Sequence, residues 1–332
     1  MLDGKVVLVT GGTGSFGKKF IDNVLKRYKP SKLIVFSRDE LKQFEMQQIF
    51  SERRYPSMRY FLGDIRDKER LYRAFEGVDV VVHAAALKQV PALEYNPFEA
   101  VQTNIIGAQN IINAAIDKGV KKIIVLSTDK AVGPANLYGA TKLCMEKLFI
   151  AANAYAGTHA TRFSVVRYGN VVGSRGSVIP LFLKQKEKGT LTVTDKRMTR
   201  FWITLDEGVG LVLKGLRLMK GGEIFIPRIP SAKIMDICEA IGPKCKIDII
   251  GIRPGEKLHE TLISEDEARH TYDRGDHFVI YSSASGREIN SKKSKKVREG
   301  FIYSSDRNDR WLTVAEIKKI IGNVPIDRRA VR

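Results

Sequence analysis

Tyr138 and Lys142 form a pair whose residue types and spacing could do chemistry. They are four residues apart, so on a helix the two side chains would lie on the same face. A phenol with its ordinary pKa of about 10 is a poor base at neutral pH, but a neighbouring ammonium group favours the phenolate and lowers that pKa. Tyr138 could then accept a proton from a substrate hydroxyl, and Thr128 could hold the same hydroxyl.

Asp129 and Lys130 stand just after the apolar run KKIIVLS, which is typical of a buried strand. An acid next to a base could exchange protons with a bound molecule. Two adjacent charges are also common in surface turns and salt bridges, and residue types alone do not separate these interpretations. Both interpretations remain open at this point.

The segment GGTGSFG follows the glycine spacing G-x-x-G-x-x-G. It comes directly after the strand-like run Lys5–Thr10 and before an amphipathic segment, as in dinucleotide-binding folds. Glycines let the backbone turn tightly and approach a pyrophosphate, which the N terminus of the following helix stabilises. The residues predicted to contact a nicotinamide dinucleotide here are Gly11, Thr13, Gly14, Ser15, Phe16 and Gly17. Tyr138 would then take the hydroxyl proton as hydride leaves for the nicotinamide ring.

The end of the second predicted strand bears on the phosphate state of this cofactor. Sites that prefer NAD usually place an acid there, which accepts hydrogen bonds from the ribose 2′-hydroxyl. Here Ser37 and Arg38 come first, and Lys42 lies one helical turn after Arg38. A hydroxyl and a guanidinium suit a 2′-phosphate better, so we predict NADP. Asp39 could cap the next helix or bind the ribose, and both interpretations are open.

Two further strand ends complete the predicted cofactor site. Asp64 and Ile65 follow the third strand, where an acid can meet the adenine amino group. The small residues after the fourth strand would let the cofactor lie close, and these are Ala84, Ala85 and Ala86. Lys88 comes next, and it could reach a substrate or be an ordinary surface lysine.

The elements that must position these residues alternate along the first half of the chain. The predicted strands are Lys5–Thr10, Lys32–Ser37, Met58–Leu62, Asp79–His83, Lys122–Ser127 and Arg162–Tyr168. The predicted helices between them are Arg38–Phe50, Pro97–Lys118 and Leu137–Ala154. Such βα alternation predicts an α/β fold, a doubly wound parallel sheet of Rossmann type with right-handed crossovers.

The pattern becomes less regular after Gly173, which predicts a smaller lobe with ligands between it and the sheet. We therefore predict a cofactor domain over residues 1–173 and a substrate-binding lobe over 174–285, some segments of which return to the first domain. Residues 286–332 would form a basic linker and a helical tail. Within these regions, Ser282–Gly300 is expected to be a loop, and a final helix is expected to start near Thr313.

Composition narrows the classes of function. The formal net charge is +19, but the basic residues are interleaved with acids and lack a helix-turn-helix, zinc-finger or aromatic RNA-binding signature, so no nucleic-acid partner is expected. No apolar run approaches the roughly 18 residues of a membrane span, and no basic leader precedes the first strand. Three cysteines without metal-ligand spacing indicate no metal site and a reducing, cytoplasmic location.

The chain resembles the extended short-chain dehydrogenases/reductases. Among these it is most similar to the inverting UDP-N-acetylglucosamine 4,6-dehydratases, which start pseudaminic-acid and related L-sugar pathways. Where retaining nucleotide-sugar dehydratases have Thr-Asp-Glu, this chain has Thr128-Asp129-Lys130, and epimerases of this fold have neither acid nor base there. The matching stretches are GGTGSFG, FSRDELK, GDIRD, HAAALKQVP, STDKA, LYGATK, VRYGNVVGSRGS, TRFWITLDEG, GGEIF and IRPGEKLHE.

The resemblance implies a chemical role for the acid and the base. Oxidation at C4 of the sugar would acidify the C5 hydrogen, which Lys130 would remove as a free amine. That role requires burial or cationic neighbours to lower the pKa of Lys130 from about 10.4 toward neutrality. Asp129, held protonated, would donate to the C6 hydroxyl as it leaves as water. The hydride would return to C6, and protonation of the opposite face would invert C5.

The resemblance also implies contacts and an assembly. Asn170 would bind the phosphate region of the nucleotide sugar, Val171 would line the cofactor site, and the remaining substrate contacts would be Arg175, Thr199, Arg200, Arg253 and Glu256. Any one of the arginines could instead be a surface charge. Pro97–Lys118 and Leu137–Ala154 would form the interface of a dimer or larger homo-oligomer. A retaining dehydratase, a UDP-sugar 4-epimerase and a non-catalytic NADP-binding regulator are the alternatives.

Overall fold

A parallel sheet is formed by the first half of the chain in the computed structural model, which describes residues 1–157, 159–173, 177–281 and 295–323. Its strands are β1 (Val6–Thr10), β2 (Lys32–Ser37), β3 (Met58–Leu62), β4 (Val80–His83), β5 (Lys122–Thr128) and β6 (Arg162–Tyr168). They pair in parallel in the order β3-β2-β1-β4-β5-β6. The six strands predicted from the sequence are confirmed, with ends that differ by one residue at most.

The helices of this half connect successive strands. They are α1 (Ser15–Arg27), α2 (Glu40–Ile49), α3 (Lys68–Ala74), α4 (Val90–Tyr95), α5 (Pro97–Val101), α6 (Gly107–Asp117) and α7 (Leu137–Tyr155). The predicted helix Pro97–Lys118 consists of α5 and α6, joined by a π-helical turn at Gln102–Ile106. A turn of 3-10 helix at Asp129–Ala131 connects β5 to the loop before α7.

Both faces of the sheet are covered by helices. Val7 and Val9 on β1 pack in one apolar cluster that includes Phe20 of α1, whereas Leu8 belongs to a second cluster on the other face that includes Ile111 of α6. Successive residues of a strand point to opposite faces, so both layers cover the same strand. The near-continuous apolar runs of the sequence are the consequence of this burial, and the doubly wound prediction is confirmed.

The second half contributes five helices and eleven strands within the described residues. The helices are α8 (Val178–Lys186), α9 (Leu205–Leu218), α10 (Ile234–Ile241), α11 (Glu265–Ala268) and α12 (Val314–Gly322). The strands are β7 (Asn170–Val171), β8 (Thr190–Val193), β9 (Thr199–Ile203), β10 (Glu223–Pro227), β11 (Ser231–Lys233), β12 (Lys246–Ile249), β13 (Thr261–Ile263), β14 (Thr271–Asp273), β15 (His277–Tyr281), β16 (Lys295–Lys296) and β17 (Tyr303–Ser304).

Part of this half extends the first sheet. Strand β10 pairs in parallel with β6, and β15, β14 and β16 follow as antiparallel strands, so the sheet has ten strands. The sheets β11-β9-β7 and β12-β8 form a smaller lobe with an apolar cluster of its own. Among the described residues, no helix is both long and apolar enough to cross a bilayer.

Two sequence-based expectations for the C-terminal region have different outcomes. Ser282–Gly300 was expected to be a loop, but Lys295 and Lys296 form β16, because they pair with Asp273 and Tyr272 of β14. That part of the prediction is wrong, and residues 282–294 lie outside the described residues. The expected helix start is confirmed, since Thr313 caps α12 in a capping box with Glu316.

Candidate active site

The acid and the base that follow β5 are brought together at the carboxyl end of the sheet. Thr128 ends the strand, and its hydroxyl donates to Asp129 Oδ1 over 2.9 Å. The same Oδ1 accepts from Lys130 Nζ over 3.0 Å. The Asp129 side chain is 0% exposed, so a surface turn does not describe it, whereas the salt bridge that the sequence also allowed is present between Asp129 and Lys130.

Lys130 Nζ is surrounded by three oxygens. Besides Asp129, it contacts Asn170 Oδ1 at 3.1 Å and Glu260 Oε1 at 3.2 Å. Burial by itself would lower the pKa of Lys130, but the Asp129 and Glu260 carboxylates outweigh it and raise the pKa. The expected lowering of this pKa is therefore wrong for this structure, in which the amine carries its third proton.

Tyr138 lies beside the same group at the start of α7. Asn136 caps this helix by accepting from Gly139 N over 2.8 Å, and the Tyr138 phenol lies next to the Thr128 hydroxyl. Burial raises the pKa of Tyr138 to about 12, although the Lys130 ammonium favours the phenolate. The expected lowering is not found here, because desolvation is the larger effect.

Lys142 is buried one helical turn after Tyr138. Its Nζ donates to the Leu126 carbonyl over 2.6 Å and contacts Met145 Sδ at 3.1 Å. Burial lowers the pKa of Lys142 to about 8, with a smaller opposing effect from Glu146. At pH 7 the Lys142 amine is therefore mostly charged, and it loses this charge as the pH rises through about 8.

The buried arginine Arg167 anchors α7 to β6. Its Nε and Nη2 donate to the two oxygens of Glu146 over 3.0 and 2.6 Å, and its Nη1 and Nη2 donate to Glu267 over 2.9 and 2.8 Å. Burial would lower its pKa, but the two carboxylates outweigh burial and raise it. Removing one partner of such a pair usually costs about 3–5 kcal/mol, so the position of α7 is well determined.

The glycine loop is shaped for close approach. Gly11 has φ +64°, and a Cβ there would lie 2.8 Å from Ala85 N at the end of β4. A Cβ on Gly17 would lie 2.3 Å from the Gly12 carbonyl oxygen. Gly14 precedes α1 without a side-chain cap, and the first turn has no acid. The first amides of α1 are thus suited to an anion such as a pyrophosphate.

The end of β2 contains the residues predicted to select the cofactor. Thr13 Oγ1 and Ser37 Oγ are hydrogen-bonded at 2.9 Å. Asp39 caps α2 by accepting from Lys42 N over 2.9 Å, and its carboxylate also pairs with the Lys42 amine, which lowers the pKa of Asp39. The capping interpretation of Asp39 is confirmed. Arg38 is half exposed, at 52%, beside this group.

The other predicted cofactor residues lie along the neighbouring strand ends. Asp64 accepts a hydrogen bond from Arg66 Nη2 over 2.8 Å. Burial by itself would raise the pKa of Asp64, but the interaction with Arg66 outweighs burial and lowers it. Ile65 is buried against Gly107 of α6, so it has a packing role. The remaining predicted cofactor residues lie in three places: Ser15 and Phe16 at the start of α1, Ala84 and Ala86 after β4, and Val171 in β7.

The predicted substrate residues fall into separate groups. Asn170 contacts Lys130, whereas Thr199 Oγ1 is hydrogen-bonded to His259 Nδ1 at 2.8 Å and to Ser305 Oγ at 2.7 Å. Arg200 donates to the backbone carbonyls of Thr199, Lys257 and Leu258, and its Nε lies 3.8 Å from Glu260 Oε1, which contacts Lys130. Arg253, which is exposed, and Glu256, which is half-buried, form a pair 4.0 Å apart. Arg175 lies outside the described residues.

Lys88 is exposed after β4 but responds to the buried charges. Desolvation, followed by the Lys130 ammonium, lowers the pKa of Lys88.

Glu260 was missed by sequence reasoning, although it is the last residue of the stretch IRPGEKLHE and contacts Lys130. Among the described residues, no group of three or more His, Cys, Asp or Glu side chains is placed to hold a metal ion.

Comparisons with known proteins identify relatives of the whole chain. The polysaccharide biosynthesis protein family matches residues 7–282. A Campylobacter jejuni subsp. jejuni protein (strain 81-176), named UDP-N-acetylglucosamine 4,6-dehydratase (inverting), is 55% identical, over 97% of this chain and 99% of the relative. A Rickettsia canadensis protein named UDP-glucose 4-epimerase is 42% identical, over 96% and 95%.

A solved structure extends the likeness to three dimensions. The X-ray structure of Pen from Bacillus thuringiensis is 42% identical and superposes with a TM-score of 0.90, over 97% of this chain and 98% of that one. The match covers both the ten-stranded sheet and the smaller lobe. The chain therefore belongs to the polysaccharide biosynthesis protein family, with the fold of the extended short-chain dehydrogenases/reductases.

Proposed function

We propose that this protein is an inverting UDP-N-acetylglucosamine 4,6-dehydratase, a lyase that forms UDP-2-acetamido-2,6-dideoxy-β-L-arabino-hex-4-ulose. The observation that carries the proposal is the pair of Lys130 with the fully buried Asp129 beside Tyr138. An oxidoreductase without an elimination step has no use for this pair. The 55% identity to the Campylobacter relative of that name supports the choice of reaction and substrate.

The residues of the chain would divide the work as follows. The positive charge of a bound oxidised nicotinamide would oppose the effect of burial and favour loss of the Tyr138 phenol proton to solvent. The phenolate would then accept the C4 hydroxyl proton, and the nicotinamide would hold and return the hydride. Before elimination, one proton moves from Lys130 to Asp129 along their 3.0 Å hydrogen bond. Lys130 can then take the C5 proton while Asp129 protonates the departing C6 hydroxyl. After this step the pair is again an ammonium and a carboxylate.

The test of this function is the product. Purified protein is incubated with UDP-N-acetylglucosamine and NADP, and the product is followed by mass spectrometry and NMR. We expect loss of one water, no net formation of reduced cofactor and inversion at C5. Retention at C5 would instead select a retaining dehydratase. An unchanged mass with inversion at C4 would select an epimerase, the reaction named for the Rickettsia relative.

We also propose NADP as the cofactor. Arg38 follows β2 and is half exposed, with Nη1 3.5 Å from Asp64 Oδ2, and Ser37 is beside it, whereas Asp39 is engaged with Lys42. Arg38→Ala is expected to weaken NADP binding about tenfold or more and to leave NAD binding unchanged. Titration of both cofactors checks this, with Arg53→Ala as a control for the loss of an exposed arginine. Equal weakening of both cofactors would contradict the choice of NADP.

A homo-oligomer that works in the cytoplasm completes the proposal. Tyr95 is 87% exposed at the end of α4, and Phe98 and Ile106 are exposed on the helical segment that follows. Large apolar side chains grouped on a surface are typical of an interface. Sedimentation equilibrium is expected to give at least a dimer, and Phe98→Glu is expected to shift it toward monomer. A monomer in the unmodified protein would contradict this assembly.

A further inference from the structure

Glu260 has no place in the sequence-based prediction, yet it belongs to the charges around Lys130. Its Oε1 lies 3.2 Å from Lys130 Nζ, and its side chain is 3% exposed. The residue directly precedes β13 and is held at two points by Ser305. Glu260 N donates to Ser305 Oγ over 2.9 Å, and Ser305 N donates to the Glu260 carbonyl over 2.8 Å. The backbone thus fixes where this carboxylate lies.

The hydrogen bonding of Glu260 differs from that of most buried acids. Four acidic side chains are buried in the described part of the chain: Asp129, Glu146, Glu223 and Glu260. Glu146 and Glu223 accept hydrogen bonds on both carboxylate oxygens. Asp129 and Glu260 each keep one oxygen without a partner among the described residues, and both contact Lys130. Acids that serve only the fold have their oxygens bonded, so this difference points to chemistry.

The balance of charge around Lys130 depends on Glu260. The charged or titratable groups that act on Lys130 or respond to it are Asp129, Glu260, Tyr138, Lys88, Arg200 and Lys257. Two are carboxylates that favour the ammonium form, and three are cations that oppose it. Without Glu260, a single carboxylate would face three cations, and the amine would lose its proton more easily.

We propose that Glu260 is a positioning residue that keeps one proton on the Asp129–Lys130 pair. The inference rests on the proposed function, because elimination needs that proton. The shared proton lies either on Lys130, which is then an ammonium beside the Asp129 carboxylate, or on Asp129, which is then a carboxylic acid beside the Lys130 amine. In the second form the amine takes the C5 proton and the acid protonates the leaving oxygen. The C6–O bond breaks as the C5–C6 double bond forms, and the pair ends with one proton, as it began.

The experiment measures when Lys130 becomes reactive as an amine. Wild type and Glu260→Gln are labelled with acetic anhydride across a pH series, and modification of Lys130 is read by peptide mass spectrometry. The amide keeps the size of the side chain and removes its charge. We expect the midpoint for Lys130 to fall by on the order of one to three pH units, the range for a charge at contact distance in a partly screened site. The exposed Lys196 serves as internal reference.

Controls separate this role from a structural one. Glu223→Gln makes the same change at a buried acid remote from Lys130, and we expect it to leave the midpoint unchanged even where it lowers the thermal midpoint. Glu260→Asp keeps the charge, and we expect a midpoint between those of the wild type and the amide. Should Glu260→Gln fail to fold, the comparison of Glu260→Asp with wild type carries the test.

A folded Glu260→Gln variant whose Lys130 midpoint matches wild type would overturn the proposal. The labelling needs no substrate, so it stays informative if UDP-N-acetylglucosamine is not dehydrated. In that case the proposed function fails and the proton-holding role is still measured. If wild type does release water, the pH dependence of solvent-deuterium exchange at C5 is expected to move to lower pH in the variant as well.

Discussion

Lys130→Met separates the oxidation step from the elimination step. Methionine approximates the length of the side chain but has no amine, so C5 would lose its base. General acid–base catalysis typically contributes about 10²–10⁴-fold, and we expect water release and C5 exchange to fall by that factor. Tyr138, Thr128 and Lys142 are unchanged, so C4 oxidation is expected to persist and reduced cofactor to accumulate.

The same substitution has a predictable effect on stability. It leaves Asp129 and Glu260, which are 0% and 3% exposed, without the ammonium that they contact. Breaking a buried ion pair usually costs about 3–5 kcal/mol, and since Lys130 is 27% exposed we expect the lower end, about 3 kcal/mol. Urea unfolding at pH 7 measures this difference in the free energy of unfolding.

The pH dependence of that difference has a definite sign. The folded-state pKa of Lys130 is raised, so its contribution is fully present below the unfolded pKa of about 10.4 and is lost as the pH rises through the folded value. The destabilisation by Lys130→Met should therefore be constant between neutral pH and about pH 9.

The assays are single-turnover absorbance of the reduced cofactor and NMR of the sugar in deuterated water. Lys122→Met is the matched control, because it removes a lysine from the other end of β5, where Nζ donates to the Leu216 carbonyl. We expect this control to keep full dehydration. Undiminished deuterium exchange at C5 in Lys130→Met would refute the assignment of Lys130 as the base.

Two further substitutions test the loop and the buried lysine. Gly17→Ala would place a Cβ 2.3 Å from the Gly12 carbonyl oxygen, so α1 must move away from the loop, and calorimetric titration should show at least tenfold weaker cofactor binding. Lys142→Met removes an ammonium whose pKa burial lowers from 10.5 to about 8, which corresponds to about 3 kcal/mol at pH 7. Loss of the hydrogen bond to Leu126 offsets about 2 kcal/mol, so urea unfolding should show about 1 kcal/mol greater stability while turnover is lost. Equal or lower stability would contradict the stated cost of burying Lys142.

Local pattern was sufficient for the parallel half of the fold. The apolar runs of β1 and β5 are buried on both sides, so composition alone marks them, and the glycine loop sits where a strand meets a helix. The edge of the sheet was harder to predict. Strand β16 is two exposed lysines, and only its pairing with β14 makes it a strand. A sequence window cannot contain that partner.

In the candidate site too, the local features were predictable from the sequence and the features that depend on distant contacts were not. Spacing on one helix was enough to place Tyr138 and Lys142 on the same segment, and adjacency was enough to join Asp129 to Lys130. The direction of the Lys130 pKa shift was predicted wrongly, because two carboxylates outweigh burial: the adjacent Asp129, and Glu260, which directly precedes β13 in the second half of the chain. In a buried site, a charge at contact distance can shift the pKa of a side chain far from the value that the residue type has in water. Residue types can therefore name the acid and the base, but which of them holds the proton depends on contacts that only the folded chain creates.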